Sequence, residues 1–235
     1  MCAMKVLVII PAYNEEETIL SVASQVISAG FDYVIVNDGS SDNTLQICKA
    51  HGLNVLDLSQ NLGIGGAVQA GHKYALLNDY DVDVQFDGDG QHDARYISTL
   101  VHEIESGADI VVGSRYLDLT NGFRSTLMRR IGKSWLSLCL RMLCHQRISD
   151  PTSGFRACNS KAIKLFCESY PIDYPEPESL AQASQRGLTI SEVPVVMHER
   201  QGGSSSINAI ASAYYMVKVT LAIILASRPH SSTRG

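Results

Sequence analysis

The chain has 235 residues, of which 45% are hydrophobic and 18% are charged, so it can bury a full core as one large or two small domains. Its 19 basic and 24 acidic residues give a net charge of −5 without a long basic run, which argues against a general nucleic-acid surface. The six cysteines form no CxxC pair and no zinc-like spacing with the seven histidines, which favours reduced thiols in a cytoplasmic protein.

Apolar runs of strand length alternate with helical patterns from the start of the chain. In chain order the pattern predicts strand KVLVIIPAY, helix EEETILSVASQVISAG, strand DYVIVNDGS, helix SDNTLQICKAHG, strand NVLDLS, helix AVQAGHKYALLN and strand DVDVQFD. This alternation predicts a Rossmann-like α/β fold, with a mostly parallel sheet covered by helices on both faces. Such sheets bind ligands beyond the carboxyl ends of their strands.

Polar residues and glycines follow each of the four predicted strands. In chain order they are Asn14 and Glu15, Asp38, Asn61 and Gly63, and Asp87 and Asp89. A single acidic turn is usually structural, but four such loops at one edge of a parallel sheet predict a common cleft.

The stretch DGDGQH predicts a metal site. Asp87 and Asp89 lie one glycine apart at a strand end, where they can share a hard divalent cation and leave positions open for phosphate oxygens. An all-oxygen set suits Mg²⁺ or Mn²⁺. His92 is either a further ligand or a residue that supports the ligands. The metal would neutralise a nucleoside diphosphate, first as substrate and then as leaving group.

Two residues suit the base of that nucleotide. The carboxylate of Asp38 can accept the ring N–H of uracil, thymine or guanine, and Tyr13 can pack its ring against the base. We expect uracil, because one hydrogen bond from its ring N–H to the Asp38 carboxylate satisfies this donor. The stretch NLGIGG lacks the lysine and serine of a P-loop and is weak evidence for a phosphate site.

Six blocks in this order resemble a family 2 glycosyltransferase with the GT-A fold: VIIPAYNEEETI, VNDGSSDNT, NLGIGGA, DGDGQH, GSRY and DPTSGFRA. The sequence is most similar to the branch of dolichyl-phosphate mannose synthases and undecaprenyl-phosphate sugar transferases. The resemblance runs from Lys5 to Ser206, which implies a catalytic domain at 1–206. Residues 207–235 are then a C-terminal helix and a polar tail.

The resemblance implies roles for individual positions. The donor-binding residues are Pro11, Tyr13, Glu15, Asp38, Gly63, Asp87 and Arg115, and the metal ligands are Asp87 and Asp89. Arg124, Arg129 and Arg130 fall where relatives meet donor or acceptor phosphate, and Arg200 falls in the loop that closes over the diphosphate.

The resemblance also implies an inverting transfer in a single displacement. A polyprenyl-phosphate acceptor arrives ionised and needs no base, whereas a sugar hydroxyl needs a carboxylate, for which Asp150 and Glu178 are the candidates. Arg156 either serves the reaction or pairs with Asp150. The lipid phosphate is preferred, although RQGGSSSI has serines where a phosphate-binding lysine is expected.

Other interpretations stay open. A nucleotide-binding subunit without activity would keep the same fold, whereas a sugar-1-phosphate nucleotidyltransferase would begin with a glycine-rich loop that PAYNEEE does not match. The apolar segment 207–226 predicts a helix that contacts a membrane surface, a small membrane protein or a second copy of the chain, or that packs on the domain as its final helix. A membrane-spanning helix is the less favoured alternative, because the segment contains Asn208, Ser212, Lys218 and Thr220. We therefore expect a cytoplasmic protein at the inner face of the cell membrane.

Overall fold

The computed structural model describes residues 4–117, 127–173, 175–198 and 209–226. Within them the strands are β1 (Val6–Ala12), β2 (Asp32–Asn37), β3 (Val55–Asp57), β4 (Val82–Gln85), β5 (Ile110–Ser114), β6 (Arg156–Asn159) and β7 (Ile190–Pro194). The helices are α1 (Ile19–Ser28), α2 (Thr44–Ala50), α3 (Gly63–Leu77), α4 (Ile97–Glu105), α5 (Leu127–Cys144), α6 (Ser160–Glu168), α7 (Pro175–Gln185) and α8 (Ala209–Ala226).

The described strands form one sheet in the order β3-β2-β1-β4-β6-β5-β7. Every neighbouring pair is parallel except the two that involve β6, which runs antiparallel to both β4 and β5. The prediction of a mostly parallel sheet is therefore confirmed. Because β6 is reversed, its first residue Arg156 lies opposite Gln85 at the end of β4.

Both faces of the sheet are covered. Leu7 and Ile9 of β1 face a core formed with α3, α5, α6, α7 and α8, whereas Val8 and Ile10 face a core formed with α1, α2 and α4. All four side chains are fully buried. Burial on both faces explains why β1 is a continuous apolar run rather than an alternating one.

The third helix begins earlier than the sequence pattern predicts. It starts at Gly63 rather than at Ala67, so most of NLGIGG belongs to the helix. A Cβ atom at Gly65 would lie 2.1 Å from the carbonyl oxygen of Pro171. The glycine therefore allows α3 to contact the chain that follows α6.

The predicted C-terminal helix is present as α8, which packs against α5 and α7. Its buried residues Val219 and Ile223 join the same core as α3. In the part of the chain that the structure describes, no helix is long and apolar enough to cross a membrane.

Asp109 joins three strands at the edge where β5 begins. Its Oδ2 accepts hydrogen bonds from the backbone N–H (2.8 Å) and hydroxyl (2.9 Å) of Thr189, which precedes β7. Its Oδ1 accepts from Asn159 of β6 (2.8 Å) and from Lys161 (3.1 Å). Burial opposes ionisation, but these hydrogen bonds lower the pKa of Asp109 to about 2.

We expect Asp109→Asn to reduce stability at pH 7 and to weaken its acid dependence. The folded pKa lies below the ordinary value of 3.8, so the stabilisation from the carboxylate is present above about pH 4 and is lost as the pH falls towards 2. Melting temperatures measured from pH 7 to 2 should fall less steeply below pH 4 in the variant. Asp79→Asn, at an exposed position, is the control. An unchanged acid-side slope in Asp109→Asn would contradict the assignment.

Candidate active site

The structure brings the loops after β1, β2, β3 and β4 to one edge of the sheet. These four strands are adjacent and parallel, so their carboxyl ends point the same way. The predicted common edge therefore exists, and each loop is hydrogen-bonded to a neighbour.

The loop after β1 is held against the turn that carries the two aspartates. The hydroxyl of Thr18 lies 2.7 Å from the carbonyl oxygen of Gly88 and 3.1 Å from Oε2 of the buried Glu15. A Cβ atom at Gly88 would lie 2.9 Å from the carbonyl oxygen of Pro11. Only glycine allows the turn to approach the end of β1 so closely.

The loop after β2 is joined to the loop after β3 through Asp38. Its Oδ1 accepts a 2.7 Å hydrogen bond from the backbone N–H of Leu62, and its side chain is almost fully buried. No hydrogen bond to Oδ2 is found within residues 4–117, 127–173, 175–198 and 209–226. Tyr13 lies nearby in sequence at the end of β1, and half of its surface is exposed. One carboxylate oxygen and one aromatic ring are thus left for a ligand.

Gly63 lies at the start of α3. Its φ is +77°, and its backbone N–H donates to the side-chain oxygen of Asn61 at 3.0 Å, where α3 begins. This N–H is therefore already used within the protein. The geometry favours a role in starting the helix over contact with a donor phosphate.

Asp87 and Asp89 follow β4 as predicted. Oδ1 of Asp87 accepts from the side-chain amide of Gln85 (3.1 Å), and Oδ1 of Asp89 accepts from the backbone N–H of Gln91 (3.0 Å). The side chain of Asp87 is 31% exposed, whereas Asp89 is buried. These hydrogen bonds hold one oxygen of each carboxylate.

His92 supports Asp87 rather than extending the ligand set. Its Nδ1 accepts the backbone N–H of Asp87 at 3.0 Å, so the proton of the neutral ring is on Nε2, which lies 3.5 Å from Oδ2 of Asp87. The ring stacks on Phe155 with centroids 4.7 Å apart. Burial lowers the pKa of His92 despite the nearby charges of Asp87 and Asp89. The supporting role is the one of the two predicted alternatives that fits.

Arg115 and Asp150 form a buried, bidentate ion pair. Nε and Nη2 of Arg115 donate to the two oxygens of Asp150 at 2.7 and 2.8 Å, and the backbone N–H of Arg115 and the hydroxyl of Thr152 also donate to this carboxylate. Asp150 is fully buried, and its own N–H donates to Glu192. Burial would lower the pKa of Arg115, but the hydrogen bonds and charge of Asp150 raise it.

This arrangement weighs against Asp150 as the base and corrects the expected pairing of Asp150 with Arg156. Both of its oxygens already accept hydrogen bonds from Arg115, which opposes a role as a proton acceptor. Its partner is Arg115 and not Arg156. Arg156 instead donates, at 2.7 to 3.0 Å, to the carbonyl oxygens of Pro151, Ser153 and Glu176 and to the hydroxyl of Ser179. Arg156 therefore holds the DPTSGFRA loop against the first turn of α7.

The same loop also contacts the metal-site turn. A Cβ atom at Gly154 would lie 2.9 Å from Oδ2 of Asp87 and from the side-chain nitrogen of Gln85. The glycine of DPTSGFRA thus leaves room for the Asp87 carboxylate. This close contact places the start of β6 beside the end of β4.

Glu178 is partly buried in the first turn of α7. Burial raises its pKa, Lys218 of α8 opposes this shift and Asp173 assists it. Its electrostatic neighbours are therefore on the side of α8. The expected role of Glu178 beside the acceptor stays a prediction.

Glu176 is the acid of α7 that the sequence reasoning missed. Burial raises its pKa, and the charges of Arg156, Asp87 and Arg115 also act on it. It thus lies within electrostatic reach of the cleft. The PEPE repeat was the available signal, since it offered two acids on different sides of one helix.

The other predicted arginines are not placed by the structure. Arg124 and Arg200 lie outside the described residues, as do Ser205 and Ser206. Arg129 and Arg130 belong to α5, for which only the backbone is described at these positions.

The site offers few protein ligands for a metal. Within the described residues no group of three or more histidine, cysteine, aspartate or glutamate side chains could hold an ion. Two oriented carboxylates still fit Mg²⁺ or Mn²⁺ when phosphate oxygens and water complete the coordination. The chemistry of the donor set therefore suits a metal that arrives with a diphosphate.

Two named relatives match most of the chain. It is 32% identical over 208 residues to the UDP-N-acetylglucosamine–dolichyl-phosphate N-acetylglucosaminyltransferase of Methanococcus voltae, covering 80% of this chain and 83% of the relative. It is 28% identical over 233 residues to the polyprenol monophosphomannose synthase of Mycolicibacterium smegmatis, covering 92% and 85%.

A solved structure supports the fold. Glucosyl-3-phosphoglycerate synthase from Mycobacterium tuberculosis, in complex with Mn²⁺, UDP-glucose and phosphoglyceric acid, superposes with a TM-score of 0.72 at 20% identity, covering 96% of this chain and 80% of that one. The sequence model described as "Glycosyl transferase family 2" matches residues 7–166. The chain is a family 2 glycosyltransferase with a GT-A-like fold.

Proposed function

We propose that this chain transfers a sugar from a nucleoside diphosphate, most simply UDP, to the phosphate of a polyprenyl lipid, with inversion at the anomeric carbon. The observation that carries the proposal is the pair of oriented carboxylates, Asp87 and Asp89, at the edge where four loops meet beside Arg115. The choice of acceptor is supported by the names of two relatives, a dolichyl-phosphate N-acetylglucosaminyltransferase and a polyprenol monophosphomannose synthase.

The loops after β1 and β2 are the proposed nucleotide site. Tyr13 has an exposed ring that can stack on a base, and Oδ2 of Asp38 can accept the N–H of uracil. Thymine presents the same N–H, so Asp38 alone does not distinguish it from uracil. The choice of uracil is also supported by the relative whose name includes UDP-N-acetylglucosamine and by the structural neighbour, which was solved with UDP-glucose.

The turn after β4 is the proposed metal site. Asp87 and Asp89 would hold Mg²⁺ or Mn²⁺, which when bound offsets the charge of the diphosphate. His92 keeps Asp87 in place through the backbone N–H, and Gln85 and Gln91 each hold one carboxylate oxygen. The structural neighbour was solved with Mn²⁺, which supports a metal of this type.

Asp150 is proposed as a positioning residue. Its two oxygens hold the guanidinium of Arg115 in one plane, and Nη2 of Arg115 also donates to the hydroxyl of Thr152 at 3.0 Å. The position of this positive charge is therefore fixed, and it interacts electrostatically with Asp87. The role expected from Arg200, closure over the diphosphate, stays a proposal.

The acceptor decides whether a base is needed. A phosphate oxygen is already ionised near neutral pH and attacks without losing a proton, whereas a hydroxyl requires a general base. Because Asp150 is fully paired and Glu178 faces α8, Glu176 is the described carboxylate best placed for the hydroxyl alternative. A lipid-phosphate acceptor would place the protein at the cytoplasmic face of the cell membrane.

The metal assignment can be tested through ligand-induced stabilisation. UDP present with Mn²⁺ at about 100 times its Kd should raise the stability of the parent by about 2.7 kcal/mol, because only the folded state binds. Asp89→Asn should lose the Mn²⁺-dependent part of this shift and keep the melting temperature measured without ligand.

Asp93→Asn is the matched control, because Asp93 lies in the same segment but pairs with Arg95 at 2.6 Å. It should keep the Mn²⁺-dependent shift. An equal Mn²⁺-dependent shift in Asp89→Asn and the parent would refute the metal site.

The acceptor assignment can be tested with Glu176→Gln. If the acceptor is a polyprenyl phosphate, kcat for transfer of a labelled sugar into undecaprenyl phosphate should change by less than about tenfold, since no base is lost. If a sugar hydroxyl is the acceptor, the same substitution should lower kcat by about 10² to 10⁴.

Glu178→Gln, two residues along the same helix, is the control for effects on α7 alone.

A panel of UDP-sugars should be assayed against undecaprenyl phosphate and against a lipid-linked sugar. Transfer to the lipid-linked sugar only, with a large loss in Glu176→Gln alone, would replace our proposal with the hydroxyl alternative.

A further inference from the structure

A small interior cavity lies between the sheet and the helices α3 and α6. Its polar lining includes Asp83 and Gln85 of β4, Arg156 of β6 and Tyr170, which follows α6. Its volume is about 10 Å³, which is close to the space that one water molecule needs. The cavity is therefore too small for a substrate but suits a single water molecule.

Asp83 contributes a buried oxygen that lacks a donor. The residue is 1% exposed, and its Oδ2 lies 2.6 Å from Nδ1 of His72 on α3. Its Oδ1 has no hydrogen-bond partner among the residues that the structure describes. The thiol of Cys158, opposite Asp83 on β6, is at most a weak donor. A buried carboxylate oxygen without a donor is costly, so Oδ1 requires a ligand that can donate a hydrogen bond.

Arg156 contributes a donor and a buried positive charge. Its Nε and Nη1 donate to two carbonyl oxygens and to the hydroxyl of Ser179, and its Nη2 donates to the carbonyl oxygen of Pro151. All of these partners are neutral. Within the described ranges, the second N–H of Nη2 has no acceptor and no carboxylate lies at ion-pair distance. Arg156 is 5% exposed, so its charge needs a counter-charge nearby.

Asp83 is the acid best placed to supply that counter-charge. Glu176 is also within electrostatic reach of Arg156, but burial raises the pKa of Glu176 and so disfavours its charged form. Burial likewise raises the pKa of the Cys158 thiol, on which the charges of Asp83 and Arg156 both act, with opposite sign. The same two charges act in opposite directions on Tyr170. The carboxylate and the guanidinium therefore surround one set of cavity residues.

We propose that the cavity binds one water molecule, which accepts the second N–H of Nη2 of Arg156 and donates to Oδ1 of Asp83. Asp83 is then a positioning residue for the candidate active site. It acts through Arg156, which holds Pro151 beside Asp150 and holds the first turn of α7 through the carbonyl oxygen of Glu176. The inference goes beyond the proposed function, and its structural tests need neither donor nor acceptor.

A crystal structure of the full chain, at a resolution that shows ordered water, tests the site directly. One water should lie within hydrogen-bond distance of both Oδ1 of Asp83 and Nη2 of Arg156. A cavity without water density, or Oδ1 paired directly with another side chain, would overturn the proposal.

A double-mutant cycle tests the charge balance. Asp83→Asn and Arg156→Gln each leave one buried charge without its counter-charge, so together they should destabilise the chain by less than the sum of the two single effects in urea unfolding. Additive effects would refute the pairing. If Arg156→Gln does not fold, the crystal structure of the parent decides.

The positioning role is tested by kinetics. Asp83→Asn should lower kcat for transfer into undecaprenyl phosphate by about tenfold to 10²-fold, because a displacement of about 1 Å in a catalytic site can cost that much. Stabilisation by UDP with Mn²⁺ should stay like that of the parent, because Arg156 donates to none of the loops after β1, β2 and β4. A lower melting temperature with unchanged kcat of the folded protein would show a purely structural role and overturn the proposal.

Asp81→Asn is the matched control, because Asp81 is exposed and lies two residues before Asp83. It should keep the parent's kcat and show no coupling to Arg156→Gln. If the water and the coupling are found but the parent does not act on undecaprenyl phosphate, the proposed function alone fails.

Discussion

The turn after β4, which carries Asp87 and Asp89, is held against the end of β1. Gly88 sits where a Cβ atom would meet the carbonyl oxygen of Pro11, and the hydroxyl of Thr18 contacts its carbonyl group. If a side chain at Gly88 pushed this turn outward, both carboxylates would move with it. The geometry of the proposed cation site thus depends on a backbone-to-backbone contact as well as on the acids themselves.

The buried charges of the site are tolerated because each has a specific partner. An unpaired carboxylate at Asp150 would carry a large desolvation cost, which the guanidinium and backbone N–H of Arg115 and the hydroxyl of Thr152 offset. The same hydrogen bonds hold the Arg115 guanidinium in one orientation. They also make Asp150 a poor proton acceptor, because both of its oxygens already accept hydrogen bonds.

Much of this site could be predicted from local sequence patterns. The spacing of apolar residues predicts the first four strands of the chain. If these strands are parallel neighbours, the polar loops that follow them must lie at one edge of the sheet. The Arg115–Asp150 pair could not be predicted in this way. It joins a residue after β5 to a residue before β6, and they meet because β6 runs antiparallel to β5, which periodicity does not reveal.

The two acids of PEPE show a related limit. Residues two apart on a helix point about 200° from each other, so Glu176 and Glu178 lie on different sides of α7. Arg156 helps to fix the rotation of α7 about its axis by donating to the backbone carbonyl group of Glu176. The contact is long-range in sequence and has no local signature.

The reversal of β6 has a consequence for how the family can diversify. Strand β5 ends, and β6 begins, at the same edge of the sheet, so the segment 115–155 leaves that edge and returns to it. Both ends of the segment are fixed in the sheet, and Leu136 and Leu140 of α5 are buried in the same core as Leu7 and Ile9 of β1. A chimera that exchanges this segment between relatives must therefore bring an apolar side of α5 that fits the core left behind.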